Sequence, residues 1–224
     1  MNSSLRVCLL AVLLAGILSA RYGERPLVFE EQRAADGERA QFSAHASRRK
    51  LLFSASGAVS EWGSGGGAYD PQPEMTMRLM DARPDVAPRA IGTQAGSANY
   101  LAGSHTDQWR IGVPLYGKII YPGVYPGIDL IYYGNQNQLE YDFVVAPGAS
   151  WRSIRLAFSG AQAIAIDANG DLKLQTRGGW VRHRRPRVYQ QLASGRSEIS
   201  GHYVLQGNGQ VGFATESMTP LFRW

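Results

Sequence analysis

Apolar and polar residues alternate with a period of two along most of the chain, and its apolar runs are short. Met75-Thr76-Met77-Arg78-Leu79 shows the alternation most regularly, so we expect one side of this segment to be buried and the other to face water. Valine, isoleucine, tyrosine and phenylalanine dominate these runs, and glycine, proline, asparagine or aspartate bounds them. The pattern predicts an all-β fold, an antiparallel β-sandwich-like domain built from many short strands and hairpins with little helix.

The predicted strands share this composition and these boundaries. Two of their connections, Asn169-Gly170 and Gly207-Asn208-Gly209, are typical of tight hairpin turns, because asparagine and glycine tolerate positive φ. The strands are expected at residues 27–31, 40–45, 50–55, 58–62, 75–80, 115–121, 128–133, 138–145, 154–159, 163–167, 171–176, 180–184, 202–206 and 211–215.

The first twenty residues have the pattern of a secretory signal peptide. Arg6 precedes an apolar run from Val7 to Leu18, and Ser19-Ala20 offers a small-residue cleavage point. An uncleaved N-terminal anchor is the alternative, because Leu18 is large for the position that it would take before the cut. We therefore expect the protein to be secreted, extracellular or at the cell surface, and no later apolar segment approaches the roughly 20 residues of a membrane span.

The sequence contains a single cysteine, Cys8, which lies inside the predicted signal peptide. A mature chain without it has no disulfides, no thiol catalysis and no cysteine-bound zinc. An apolar core must hold it together, and about 200 residues can supply one. The composition, 18% charged and 44% hydrophobic, excludes a disordered chain.

Glycine and proline divide the chain into segments. We expect a signal peptide at 1–20, an N-terminal strand group at 21–62, a flexible connection at 63–96 with one strand near 75–80, and a main β domain at 97–216. The connection is predicted because Ser64-Gly65-Gly66-Gly67 cannot pack. Residues 217–224 form a C-terminal tail, belonging either to a stand-alone domain or to a truncated gene product.

The strongest local pattern is a hairpin at residues 125–144, with its turn at 134–137. We expect Tyr133 to pair with Gln138, because this register collects the apolar side chains on one face.

That register places Asp129 opposite Asp142, with Glu140 nearby on the same face. Like charges that face each other across a ladder are destabilising, so these carboxylates need an explanation. They are either solvated and bridged by basic side chains, or ligands of a Ca²⁺ ion, or the acid and base of a glycosidase. Asp167-x-Asn169-x-Asp171 resembles the start of a calcium loop, but the loop's later positions do not match, and a hairpin turn is the better interpretation.

A second pattern is a cluster of basic residues near the end of the predicted domain. The cluster either binds a polyanion, such as an acidic glycan, or forms the polar face of an edge strand, because Arg182 and Arg184 alternate with Val181 and His183. Nucleic acid is not an expected partner of an exported protein. The cluster consists of Arg177, Arg182, Arg184, Arg185 and Arg187.

No enzymatic motif accompanies these clusters. The sequence has no nucleophile elbow, P-loop or dinucleotide-binding motif, and its four histidines are scattered without metal-ligand spacing. We therefore expect neither an enzyme nor a cofactor, apart from the Ca²⁺ alternative.

Several motifs together resemble the uncharacterised N-terminal domain that precedes SBBP-type β-propeller repeats in large secreted bacterial proteins. The similarity covers roughly residues 26–213. It implies an extracellular or cell-surface all-β protein with no established catalytic residues. The motifs are Asn99-Tyr100-Leu101-x-Gly103, Trp109-Arg110-x-x-Val113-Pro114-x-Tyr116, Tyr125-Pro126-Gly127-Ile128-Asp129, Leu139-Glu140-Tyr141-Asp142-Phe143 and Arg185-Pro186-x-Val188-Tyr189-Gln190.

The sequence as a whole favours a non-catalytic structural or binding module of a larger propeller-containing surface protein. Its expected partners are a neighbouring β-propeller or another surface domain, a glycan, or an envelope component. A carbohydrate-active enzyme that uses Asp129, Glu140 and Asp142 is the alternative, as is a glycan-binding or polyanion-binding module.

Overall fold

The computed structural model describes residues 11–15, 27–32, 42–46, 49–62, 72–101, 105, 106, 109–135, 138–192 and 195–215. The predicted cleavage point, the glycine run at 64–67 and the predicted tail at 217–224 lie outside these residues. Strands dominate the described chain. Its first nine strands are β1 (Ala11–Ala15), β2 (Phe29–Glu31), β3 (Phe42–Ala46), β4 (Arg49–Ser54), β5 (Gly57–Trp62), β6 (Gln72–Leu79), β7 (Arg89–Tyr100), β8 (Arg110–Tyr125) and β9 (Ile128–Asn135).

The remaining strands follow β9 at short intervals. The described residues also contain two 3₁₀ turns, Trp151–Ser153 and Gly207–Gly209, and no described helix is long and apolar enough to cross a membrane. The later strands are β10 (Gln138–Val145), β11 (Leu156–Ser159), β12 (Ala163–Ile166), β13 (Leu172–Thr176), β14 (Gly179–His183), β15 (Val188–Leu192), β16 (Gly195–Ile199), β17 (Gly201–Leu205) and β18 (Gln210–Thr215).

Sixteen of these strands form one antiparallel sheet, and β15 and β16 form a separate pair. Along the sheet the order is β12-β13-β14-β1-β10-β9-β8-β2-β3-β4-β5-β6-β11-β18-β17, with β7 paired to β8 outside this path. Neighbours along most of this path are also neighbours in sequence, so hairpins build most of the sheet. The prediction of an all-β, sandwich-like domain is confirmed.

Aromatic side chains fill the core between the two ends of the sheet path. The ring of Phe53 on β4 lies 4.8 Å from that of Tyr132 on β9, and the ring of Phe143 on β10 lies 6.3 Å from that of Phe213 on β18. Phe53, Tyr132 and Phe143 are completely buried. These contacts join strands that are far apart in the sheet order, so the inner faces of the two halves pack on each other as in a β-sandwich.

Both predicted tight turns are confirmed. Gly170 has a φ of 81° between β12 and β13, and Asn208 and Gly209 have φ values of 64° and 70° between β17 and β18. The side chain of Asp167 stabilises the first turn, because its Oδ1 accepts the backbone N–H groups of Asn169 and Asp171. The turn thus uses Asp167 as an intramolecular acceptor.

The structure corrects the expected flexible connection at residues 63–96. Arg89–Tyr100 form β7, a twelve-residue strand that pairs only with β8. No alternating apolar pattern marks this strand, because no residue along it is buried. Backbone pairing with β8 supports it instead, and the pairing register shifts twice along its length.

The strand β1 lies inside the apolar run that the sequence predicts as part of a signal peptide. It pairs antiparallel with β10 on one side and with β14 on the other. The structure therefore places these five residues within the sheet of the folded domain.

Candidate functional site

The hairpin of β9 and β10 carries the three candidate carboxylates, but in a register that differs from the prediction. Gln138 pairs with Asn135, two residues further along than the expected partner, Tyr133. The error arises because strand pairing continues through residues that the sequence analysis assigned to the turn. A shift of two residues keeps every side chain on its predicted face, since strand side chains repeat every second position.

The corrected register separates Asp129 from Asp142. Asp129 faces Val144, and Asp142 faces Ile131, so the two carboxylates are diagonal neighbours on one face of the hairpin. The expected head-on pair of like charges is not formed, and its energetic penalty does not arise.

Asp129 makes a local structural contact. Its Oδ1 accepts the backbone N–H of Gly123 at 2.7 Å. Gly123 has a φ of 64° and lies where the pairing of β8 with β9 shifts between Tyr121 and Tyr125. The carboxylate therefore satisfies a backbone donor at an irregularity of the strand.

Asp142 and Glu140 both interact with the hydroxyl group of Tyr133. The Tyr133 hydroxyl donates to Oδ1 of Asp142 at 3.0 Å, and Glu140 is 5% exposed. Burial, together with the charges of Asp142 and Glu140, raises the pKa of Tyr133. Lys118 lies 5.2 Å from the centre of the Tyr133 ring, so a cation partly balances the two acids.

The arrangement of carboxylates bears on the Ca²⁺ alternative. Among the described residues, no group of three or more histidine, cysteine, aspartate or glutamate side chains is arranged to hold a metal ion. The loop between Asp167 and Asp171 likewise directs its two carboxylates to different partners. Asp167 pairs with Lys173 at 3.3 Å, whereas Asp171 lies 2.7 Å from Nε of Arg182.

All five predicted arginines are exposed, and they differ in their partners. Arg182 pairs with the nearly buried Asp171, and the Arg187 guanidinium bonds Glu198 and lowers the pKa of that carboxyl. The backbone N–H of Arg185 donates to Oδ1 of Asp171. Within the part of the chain that the structure describes, no ion pair involves the side chains of Arg177, Arg184 or Arg185.

An exposed tryptophan and two of these arginines lie on the same side of the sheet. Along β14, Val181 and His183 are buried, while Trp180 is 52% exposed and Arg182 is exposed. The alternation continues to Arg184, which directly follows the strand. Trp180, Arg182 and Arg184 thus form a row on the outward side of the sheet, which we call the basic stripe. The predicted alternation is confirmed, but β14 pairs on both sides and is not an edge strand.

A buried polar pair lies on the opposite, inward side of β14. Tyr141 and His183 are completely buried, and the Tyr141 hydroxyl lies 3.3 Å from Nδ1 of His183. Burial lowers the pKa of His183 to about 3, so its ring is neutral at pH 7. Sequence reasoning did not single out this pair, because Tyr141 and His183 are 42 positions apart in the chain.

A second missed contact joins the N-terminal strands to β7. The Tyr100 hydroxyl donates to Oε2 of Glu30 at 2.5 Å, and Glu30 is 5% exposed. Burial and this carboxylate raise the pKa of Tyr100 to about 12. The only signal in the sequence was a glutamate that directly follows the apolar run Leu27-Val28-Phe29.

The comparisons with known proteins identify the family of the chain. No curated protein and no solved structure matches it. A family described as "Domain of unknown function (DUF7948)" matches residues 29–221, which is most of the chain. The match extends over all the described strands from β2 to β18. The chain therefore belongs to the DUF7948 family of uncharacterised domains.

Proposed function

We propose that the chain is a non-catalytic β module of a secreted or cell-surface protein, with a structural or binding role beside neighbouring domains such as a β-propeller. The pattern of residues 1–20 supports export. The resemblance to domains that precede SBBP-type repeats supports the propeller neighbour.

One observation carries the non-catalytic part of the proposal: the acidic side chains of the hairpin bond to their own sheet. Asp129 accepts a backbone N–H from Gly123, and Asp142 accepts the hydroxyl of Tyr133. A glycosidase needs an acid and a base that flank a sugar at a fixed separation. Carboxylates that hold neighbouring groups of the fold support a structural role instead.

A panel of glycosidic substrates and the Asp142→Asn variant test this proposal. The asparagine keeps an acceptor oxygen for Tyr133, so the variant is expected to fold. We expect no hydrolysis by either protein. Hydrolysis by the parent chain that Asp142→Asn abolishes, with circular dichroism unchanged, would establish the enzyme alternative.

A second candidate function, polyanion binding, rests on the basic stripe. Trp180 offers an aromatic face for a sugar ring, and Arg184, four positions later in the sequence, has no ion pair with a carboxylate among the described residues. Exposed aromatic and cationic side chains in one row suit an acidic glycan.

Heparin is a suitable probe of this second candidate. Trp180→Ala and Arg184→Ser should each weaken heparin binding, and binding should fall as salt rises. Arg187→Ser is the matched control, because Arg187 already pairs with Glu198. Equal binding by all three variants contradicts a role for the stripe.

A further inference from the structure

The strand β1 occupies a slot one strand wide. Leu13 pairs with Leu139 of β10 on one side and with His183 of β14 on the other. Adjacent strands lie about 4.8 Å apart, so β10 and β14 are separated by about 10 Å at this level. Each presents to the slot a row of backbone N–H and C=O groups that β1 pairs.

The two strands that flank the slot, β10 and β14, also contact each other directly, without β1. Tyr141 of β10 and His183 of β14 reach each other directly, with 3.3 Å between the hydroxyl and Nδ1 and 6.1 Å between ring centres. Leu139 and Val181, on the same two strands, are each 2% exposed. The slot therefore has an apolar inner wall and a side-chain link that does not involve β1.

The sequence pattern implies that β1 leaves the protein on export. Ala11–Ala15 lie inside the run from Val7 to Leu18 that signal peptidase would remove after Ala20. The facing edges of β10 and β14 would then lose their partners while the buried side chains beside them remained. Unpaired buried backbone groups are costly, so a replacement strand would be stabilising.

We propose that in the exported protein this slot binds an extended aliphatic strand of another polypeptide by β-strand addition. The inference rests on the export proposed above. Two facts favour a strand from another polypeptide. Every other described strand is already paired, and residues 19–224 contain no run of five consecutive apolar residues like that of β1. The occupant resembles β1 itself: uncharged, branched and extended.

The test uses the chain as it is exported and a peptide that imitates β1. The full chain is expressed with its own residues 1–20 in a secreting host, and the intact mass of the exported protein gives its N-terminus. The probe is a synthetic peptide of residues 9–17 with two lysines at each end for solubility. The control peptide carries Leu13→Pro, because proline removes a donor and cannot join two ladders.

We expect an exported protein that begins at Arg21 and binds the probe with a stoichiometry of one to one. At 100 times its Kd the probe should raise Tm by roughly 5 °C or more, and the proline peptide should not. Hydrogen exchange should slow in β10 and β14 only with the probe. An exported chain that folds only when the probe is present would equally support the slot.

Other outcomes overturn the proposal and are distinguishable. An exported protein that retains residues 11–15 shows that β1 is a permanent strand. A chain that is not exported contradicts the proposed function itself. A processed chain that binds neither peptide, or both equally, contradicts the slot alone. A dimer that the probe dissociates, but the proline peptide does not, assigns the slot to a second copy of the chain instead of another polypeptide.

Discussion

The Tyr141 hydroxyl and Nδ1 of His183 lie 3.3 Å apart and link β10 to β14 through the core. Both side chains are completely buried, and Nε2 of His183 has no hydrogen-bond partner in the described part of the chain. The environment favours a neutral imidazole, and burial lowers the pKa of His183 to about 3. A buried neutral histidine of this kind makes folding sensitive to acid.

The first prediction concerns the pH dependence of stability. The unfolded chain takes up a proton near pH 6.5, whereas the folded chain does so only near pH 3. Stability from the neutral ring is therefore fully present above pH 6.5 and is lost as the pH falls toward 3. This histidine alone should lower the free energy of unfolding by about 2 kcal/mol between pH 7 and pH 5.

Urea unfolding of His183→Phe measures this contribution. The phenyl ring can keep the edge contacts of the imidazole with Tyr141 and Phe158, so the variant should fold. Its free energy of unfolding should fall less steeply than that of the parent chain between pH 7 and pH 5. His202→Gln, which removes an exposed histidine instead of the buried one, is the matched control. Identical slopes for the parent and His183→Phe would contradict the assignment.

A second prediction compares two buried tyrosines. The hydroxyl of Tyr132 has no hydrogen-bond partner among the described residues, whereas that of Tyr141 contacts His183. Removing an unpartnered hydroxyl removes a desolvation cost, so Tyr132→Phe should leave stability unchanged or raise it by about 1 kcal/mol. Tyr141→Phe should lower it by about 1–2 kcal/mol, because the histidine loses its partner. Thermal unfolding of both variants measures these changes in stability. A loss of stability for Tyr132→Phe would contradict the prediction and would indicate a buried water at the Tyr132 hydroxyl.

A third prediction concerns the close approach of two strands at Gly57. Its φ is 141°, and a Cβ at this position would lie 2.0 Å from the carbonyl oxygen of Met77. Gly57→Ala should therefore destabilise the domain by on the order of 2–3 kcal/mol through strain and overpacking. Gly207→Ala is the control, because a Cβ there meets nothing within 4 Å. Equal melting temperatures of the two variants would contradict the close approach.

Sequence periodicity predicted which faces are buried but not how the strands pair. Leu130 and Tyr141 share the inner face of the hairpin, as expected, yet each pairs with a residue two positions from the predicted one. Alternation repeats every two residues, so a shift of two leaves the pattern unchanged and only the turn can fix the register. The predicted pairing of Asp129 with Asp142 across the two strands depended on that register and was wrong.

Strands without an apolar face gave no signal at all. No residue of β7 or β16 is buried. The strand β7 pairs its backbone with β8, and β16, with Ser197 and Glu198 exposed, pairs with β15 in a separate hairpin. For the site residues too, the sequence predicted burial along one strand but not contacts between strands. Alternation along β14 separated exposed Arg182 from buried His183, whereas the contact of His183 with Tyr141 depends on tertiary packing that one strand cannot reveal.

A fourth prediction separates the charge of Asp129 from its role as an acceptor. Its Oδ1 accepts the N–H of Gly123, where β8 departs from regular pairing with β9. Asp129→Ala leaves that donor without its partner and should lower the free energy of unfolding by about 1–3 kcal/mol. Asp129→Asn keeps an acceptor oxygen and should remain within about 0.5 kcal/mol of the parent. Urea unfolding at pH 7 measures both variants. If asparagine destabilises as much as alanine, the negative charge itself matters, and a bound cation becomes the better explanation for this acidic face.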